Sequence, residues 1–187
     1  MTWLYFLKNK YEVFETFREF KVLVENQFNR NIKVLRTNNG GDFFGNVFDH
    51  FCRQHGIARQ NTTPYMPQHN GVVERMDITF MDKVRSVLSG VGLAQEFWEE
   101  AVDTSFYLVN RLLMATLVDK NPYEAWASRR PSHTHLIVFG CDAFVNVSKE
   151  KSSKLDRKSD KCIFIRYKDG ANGYKLWNPV KRKVVYS

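Results

Sequence analysis

Between Ile32 and Arg75 the chain reads Ile32-Lys33-Val34-Leu35-Arg36-Thr37-Asn38-Asn39-Gly40-Gly41-Asp42 and then, twenty residues on, Thr62-Thr63-Pro64-Tyr65-Met66-Pro67-Gln68-His69-Asn70-Gly71-Val72-Val73-Glu74-Arg75. The first run is an apolar strand that ends in a turn of Asn and Gly, residues that enter left-handed conformations at little cost. The second is a proline-bearing loop that leads into a helix, with Glu74 on its first turns. A polar residue at a strand's carboxyl end and a carboxylate early in a later helix are able to meet at one point in space. Such a meeting suits divalent-metal chemistry. Two Mg²⁺ ions held about 3.5–4 Å apart clamp the attacking and leaving oxygens of an in-line phosphoryl displacement, and Mg²⁺ takes hard oxygen ligands, carboxylates first. Of the pair Asn38 and Glu74 only Glu74 is acidic. Taken singly, the Asn-Gly run is an ordinary turn and Glu74 an ordinary helix-surface charge.

Outward from this stretch the apolar pattern predicts an α/β arrangement. Residues 2–8 read as a buried strand. Residues 10–28 read as a helix in which Val13, Phe14, Phe17, Phe20, Val24 and Phe28 form one stripe. Residues 32–36 are a buried strand. A second amphipathic helix carries Phe44, Val47, Phe48 and Phe51 and stops at Gly56, and residues 57–61 return as a strand. Strand, helix, strand implies a parallel pair with a right-handed crossover, whose sites form beyond the carboxyl ends, where Asn38 falls. Downstream, residues 94–114 read as a long helix burying Phe97, Trp98, Ala101, Val102, Ser105, Leu108, Val109 and Leu112. Residues 122–127 add a short helix with Pro in its first turn, and residues 136–147 a strand or two joined near Gly140. A hydrophilic linker spans 148–161. Strands at 162–167, 174–177 and 183–186 follow, joined by turns at 169–173 and 178–179. Three strands bury little alone, so they are expected to pack on the 136–147 region.

The length of 187 residues allows one sizeable core with a small appendage. Cys52, Cys141 and Cys162 show no paired spacing, so neither a zinc site nor a disulfide framework is indicated, and the reducing interior of a cell, nucleus or cytoplasm, is the expected setting. His50, Cys52 and His55 stand close together in an amphipathic segment and read as core or surface residues. No apolar run approaches the roughly 20 residues that cross a bilayer, and the opening residues place their lysines after the apolar part, unlike a signal peptide. Charge is uneven. Between Ser148 and Ser187 twelve lysines and arginines face four acids, which accounts for the whole net charge of +8. A basic module on a neutral core points to a polyanionic partner; the alternative is a solvated basic surface.

The motifs together resemble the integrase region of copia-type retrotransposon polyproteins, whose members read roughly R-S-D-N-G-G-E, T-T-P-Y-x-P-Q-x-N-G-V-x-E-R, F-W-x-E-A, T-P-Y-E-x-W and L-x-V-F-G-C. To these correspond Arg36-Thr37-Asn38-Asn39-Gly40-Gly41-Asp42, the run from Thr62 to Arg75, Phe97-Trp98-Glu99-Glu100-Ala101, Asn121-Pro122-Tyr123-Glu124-Ala125-Trp126 and Leu136-Ile137-Val138-Phe139-Gly140-Cys141. The resemblance implies an RNase H-like integrase core over residues 1–130, followed by a small basic β-rich C-terminal module over residues 131–187. It implies three metal-binding acids. Glu74 stands at the third, Asn38 replaces the second, and the first has no counterpart. The chain is therefore expected to be a copy lacking the first strands of the core, with catalysis impaired and Mg²⁺ or Mn²⁺ binding weak or absent. Restoring Asp at 38 alone is then not expected to restore joining of DNA ends. The implied partners are DNA, as transposon ends and target, and further copies of the chain; no membrane is involved.

The family's loop and following helix contact DNA, which assigns Gln68, Asn70, Arg75 and Lys83 to phosphates or bases, with Lys154, Arg157 and Lys158 supplying the basic module's contacts. As an alternative, Gln68, His69 and Asn70 cap the helix. Met76-Asp77-Ile78 departs from the family's usual Asn-Arg here; it exchanges a cation for Ile78 and adds an anion at Asp77, which weakens contact at that point. Two further readings stand beside an impaired integrase: an inactive DNA-binding module, and a transposon remnant with no retained role.

Overall fold

The computed structural model describes residues 1–37, 43, 45–61, 71–91, 93, 95–112, 117, 120–147, 158–168 and 173–187, with the backbone alone for 71–77 and 79. The chain forms two compact units, Tyr5–Asp77 and Met1–Leu4 with Ile78–Ser187.

The first unit contains α1 (Glu12–Phe28), β1 (Val34–Thr37), α2 (Asn46–Gln54) and β2 (Ala58–Asn61). The α1 stripe folds as its spacing predicts only in its middle: Phe14, Phe17 and Phe20 meet Phe48, Phe51 and Cys52 of α2, with Leu35 and Ile57 beneath, whereas Phe28, the last residue of the helix, is exposed. Phe14 and Phe51 cross edge to face at 5.4 Å and 88°, the arrangement that the ring quadrupole favours. The chain turns out of α1 at Asn29, in the left-handed region at φ 49°, whose N–H donates to the Glu25 carbonyl. The Glu25 carboxylate accepts from the Lys21 ammonium at 2.6 Å and from the Ile32 N–H at 2.8 Å, which fastens the approach to β1. Helix α2 ends before Gly56, at φ +64°. β1 and β2 are parallel and in register from Val34↔Ala58 to Thr37↔Asn61, as the strand-helix-strand order predicts.

Residues 2–8 are not a strand. The Thr2 backbone spends both hydrogen bonds on one side chain instead of a ladder: its N–H donates to Asn110 Oδ1 at 2.9 Å, and its carbonyl accepts from Asn110 Nδ2 at 2.7 Å. Trp3 stands edge-on to Trp126 at 4.6 Å.

The second unit holds the larger part of α3 (Gly71–Val91), a 3-10 turn (Gln95–Phe97), α4 (Trp98–Val109), α5 (Pro122–Ala127), and the strands β3 (Asp142–Asn146), β4 (Ser159–Tyr167), β5 (Tyr174–Asn178) and β6 (Lys183–Tyr186). The predicted helix over 94–114 is shorter at both ends. Phe97 closes the 3-10 turn and takes the inward position, leaving Trp98 49% exposed, and Leu112, past the end of α4, is also 49% exposed. Ala101, Val102, Thr104 and Ser105 form the buried face. Helix α5 starts where expected because its signals are local: the Asn121 side chain accepts the Glu124 N–H at 2.8 Å and Pro122 is the first residue.

The four strands form one antiparallel sheet in the order β3-β4-β5-β6, so the C-terminal strands do pack on the 136–147 region. Only Asp142–Asn146 of that region is a strand. Residues before it are fixed by tyrosines: the Tyr167 hydroxyl accepts the Ile137 N–H at 2.9 Å and donates to the Ile137 carbonyl at 2.7 Å, and Tyr174 donates to the His135 carbonyl. Gly140 makes the bend into β3. Its φ is +79°, and a Cβ there would lie 1.9 Å from Val91 Cγ1. The predicted linker over 148–161 is strand at its end, since Ser159 pairs with Asn146; residues 148–157 lie outside the described residues.

A bulge between Phe164 and Arg166 organises β4. Facing residues of an antiparallel pair share a face. Phe164 opposes Leu176 and joins the cluster of Cys162, Tyr167 and Leu136, whereas Ile165, the extra residue, joins Ala101, Val102 and Phe139 under the helices. Both side chains are fully buried. The bulge also keeps Arg166 on the helix side, opposite Lys175, and the Thr104 hydroxyl donates to the Ile165 carbonyl at 3.1 Å.

Candidate functional site

The carboxyl edge of β1 and β2 is the first candidate. Each of its last two cross-strand pairs is tied by side chains: Arg36 donates to Gln60 Oε1 at 3.0 and 3.3 Å, and the Thr37 hydroxyl donates to Asn61 Oδ1 at 3.2 Å. Thr37 is buried. The run that begins at Asn38 and the loop that begins at Thr62 thus depart from adjacent, pinned ends of one parallel pair. Asn38 itself, with Gln68 and Asn70 of the predicted interface, lies outside the described residues. Glu74 and Arg75 are the fourth and fifth residues of α3, described by backbone alone. Arg59 braces the same unit: it pairs with Asp49, donates to the Phe43 carbonyl at 2.6 Å and lies over the Phe48 ring.

Further along α3, Phe80, Val84, Val87, Leu88 and Val91 turn inward. Ile78, Met81 and Lys83 are exposed, so the departure noted at Ile78 places an apolar side chain in solvent. His50 and His55 are exposed, the latter 4.3 Å from the Phe51 ring, and Cys52 is buried. Burial raises the Cys52 and Cys162 thiols above their usual range, with Asp160 adding to the effect at Cys162, so both stay protonated and are poor nucleophiles.

The C-terminal sheet is the second candidate, and here the structure adds what residue counting missed. Arg166 pairs with Asp103 at 2.6 Å and Lys175 with Glu100 at 2.8 Å, both carboxylates lying on α4. Lys161 pairs with Asp142 at 2.7 Å, and Lys181 with Asp160. Four cations of the basic module therefore serve the fold. Lys158, Lys168, Arg182 and Lys183 are exposed, while Lys154 and Arg157 lie outside the described residues. Arg166, Tyr167, Lys168, Lys175 and Tyr186 line a cleft of ≈ 340 Å³, with the Lys168 ammonium 5.8 Å from the centre of the Tyr186 ring.

Residues 141–187, which include this sheet, match the Retroviral polymerase SH3-like domain. Over 185 residues, 99% of its length, the chain is 48% identical to the retrovirus-related Pol polyprotein from transposon TNT 1-94 of Nicotiana tabacum. The chain belongs to the Pol polyproteins of copia-type transposons. Those from transposons RE1 and RE2 of Arabidopsis thaliana are each 36% identical to this Pol segment over 166 residues, 89% of its length. It spans 14% of the tobacco polyprotein and 11% of either Arabidopsis one. Among solved structures, a simian T-cell lymphotropic virus intasome in complex with PP2A regulatory subunit B56 gamma superposes with TM-score 0.50 at 17% identity, covering 88% of the Pol segment and 61% of that chain. An HTLV-2 integrase catalytic core domain in complex with magnesium covers 64% of it and 71% of that chain at 17% identity, with TM-score 0.46. The fold is that of an RNase H-like integrase core followed by an antiparallel sheet. Among the described residues no helix is long and apolar enough to cross a membrane, and no three His, Cys, Asp or Glu side chains gather as a metal site.

Proposed function

We propose that this segment is a nucleic-acid-binding integrase region of the DNA integration pathway, with catalysis impaired at Asn38. The relationship at 48% identity across nearly the whole chain carries the integrase reading. The pinned carboxyl edge supports Asn38 and Glu74 as the family's second and third metal positions, because both loops leave from one place. The donor set does not fit a pair of tightly held Mg²⁺ ions: Asn38 offers one neutral carbonyl oxygen where the chemistry asks for a carboxylate, and the nearest described cross-strand groups, Thr37 with Asn61 and Arg36 with Gln60, are neutral or cationic and already bonded to each other.

Residues 1–130 form the core in this reading and residues 131–187 the basic extension. Gln68, Asn70, Arg75 and Lys83 then face DNA from the loop and α3, and Lys154, Arg157 and Lys158 from the basic run. DNA, as transposon ends and target, is the partner, and the segment works in the nucleus or cytoplasm alongside further copies of itself.

The test is a strand-transfer assay with Mg²⁺ and Mn²⁺ on a labelled duplex, run beside a binding titration. Duplex binding that weakens steeply with salt, with no joined product, is expected. Joined product from the native chain sinks the impairment at Asn38; absence of binding at low salt sinks the nucleic-acid reading.

A further inference from the structure

The cleft on the C-terminal sheet has a composition that the general basicity of the module does not explain. Arg166, Lys175 and Tyr186 form one cross-strand row over β4, β5 and β6, since Arg166 opposes Lys175 and Lys175 opposes Tyr186. The row is asymmetric. Its first two members are held by Asp103 and Glu100 of α4, so their charge is matched and their side chains are fixed. Its third, Tyr186, is 61% exposed. Lys168, at the end of β4, reaches over that ring and is itself exposed. Among the described lining residues and their carboxylate partners the charge sums to a single cation beside an open aromatic face.

A duplex groove calls for several unmatched cations along the backbone, and its base faces are hidden in the stack. An open tyrosine ring is met instead by an unstacked base, and base-on-aromatic stacking with a neighbouring cation is how single strands are held. The volume suits one such unit, being at the lower end for ligand sites.

We propose that this cleft is a subsite for one unpaired nucleotide of a single-stranded nucleic acid, with its base on Tyr186 and its phosphate at Lys168. The proposal rests on the nucleic-acid reading above and narrows it. Among the described lining residues none is placed to favour deoxyribose over ribose, so the shared chemistry of phosphate and base is what the site takes.

The experiment uses the full chain and fluorescence anisotropy with a short oligothymidylate, the matching oligouridylate and a blunt duplex. Tyr186→Ala is expected to weaken binding of both single strands about tenfold, the scale of one stacked base, while changing duplex affinity less than about twofold. Tyr186→Phe, which keeps the ring, is expected to bind as the parent does. Lys168→Ala is expected to lower the single-strand salt slope by about 0.7. Unfolding midpoints of the variants are expected to match the parent, since both side chains are exposed. An unchanged single-strand affinity in Tyr186→Ala, or an equal loss on duplex, overturns the subsite while leaving the functional reading intact. A parent chain that binds neither single strands nor duplex removes the functional reading, and the subsite with it.

Discussion

The two sheets are built on opposite terms. β1 and β2 are short, parallel and mostly exposed, and the apolar cluster beside them is made largely by helix rings from Phe14, Phe17 and Phe48. Their ends are tied by polar side chains instead of apolar packing. β4, by contrast, buries Cys162, Phe164 and Ile165 completely, and has a strand on either side. A two-stranded sheet contributes little stability of its own, so the first unit depends on its helices, whereas the second depends on its strands. The sheet whose carboxyl edge the functional reading singles out is thus the less buried of the two, and the sheet with the basic strands is the better anchored.

Substitutions in β4 therefore test the contrast most severely. Phe164→Ala is expected to cost about 4 kcal/mol, a full aromatic lost from a closed core, read from denaturant unfolding. A loss below about 1 kcal/mol would remove the distinction between the sheets. Gly140→Ala is expected to cost about 3 kcal/mol, from the positive φ and the encounter with Val91; adding Val91→Ala should return part of it, because only the clash is relieved.

A finer division lies among the cations. Lys175→Met leaves Glu100 without its partner in a half-buried setting and is expected to cost about 1–2 kcal/mol, between the values for exposed and buried pairs. Lys183→Met is expected to leave stability within about 0.5 kcal/mol but to lower the duplex salt slope by about 1. The reverse pattern would mean that the paired cations bind and the exposed ones fold.

In the first unit Glu25→Gln is expected to cost about 1 kcal/mol at neutral pH. The Lys21 ammonium, with the Ile32 N–H, holds the Glu25 carboxyl below its usual 4.5 in the folded chain. A depressed folded value means that this stabilisation is complete above about pH 4.5 and is lost as pH falls through the folded value. The gap between parent and variant should close on acidification; a gap that widens would contradict the ion pair.

Which parts could be read in advance follows from how local their causes are. Asn121 and Pro122 specify α5 within three residues, and the stripe Phe14, Phe17, Phe20 specifies α1 within two turns. The pairing of Lys175 with Glu100 spans 75 residues, so the charge count assigned to a partner what α4 already neutralises. Residues 2–8 misled because an apolar run states only that burial is wanted, not that a ladder is available; Asn110 supplied the bonds from 108 residues away. Trp98 followed the stripe on paper, and one tightened turn before it was enough to rotate it outward. At the candidate site the motif order anticipated the parallel pair with its carboxyl ends level, because that follows from a strand, a helix and a strand; Asn38 lies outside the described residues, and Glu74 is described by backbone alone. The Thr37 and Asn61 hydroxyl-amide tie could have been guessed only with the register in hand.

Ile165 makes β4 one residue longer than its partner requires. Strands usually tolerate replacement better than insertion or deletion, and this one records where an extra residue has been absorbed. A copy of the gene that dropped this codon would lose one side chain from beneath the helices, but Phe164 and Arg166 would become consecutive partners of Leu176 and Lys175, and everything from position 166 onward would keep its present face. Among diverging copies of such an element, loss of a single codon here should therefore be commoner than loss of one elsewhere in the strand, where a one-residue slip turns the following side chains to the other face.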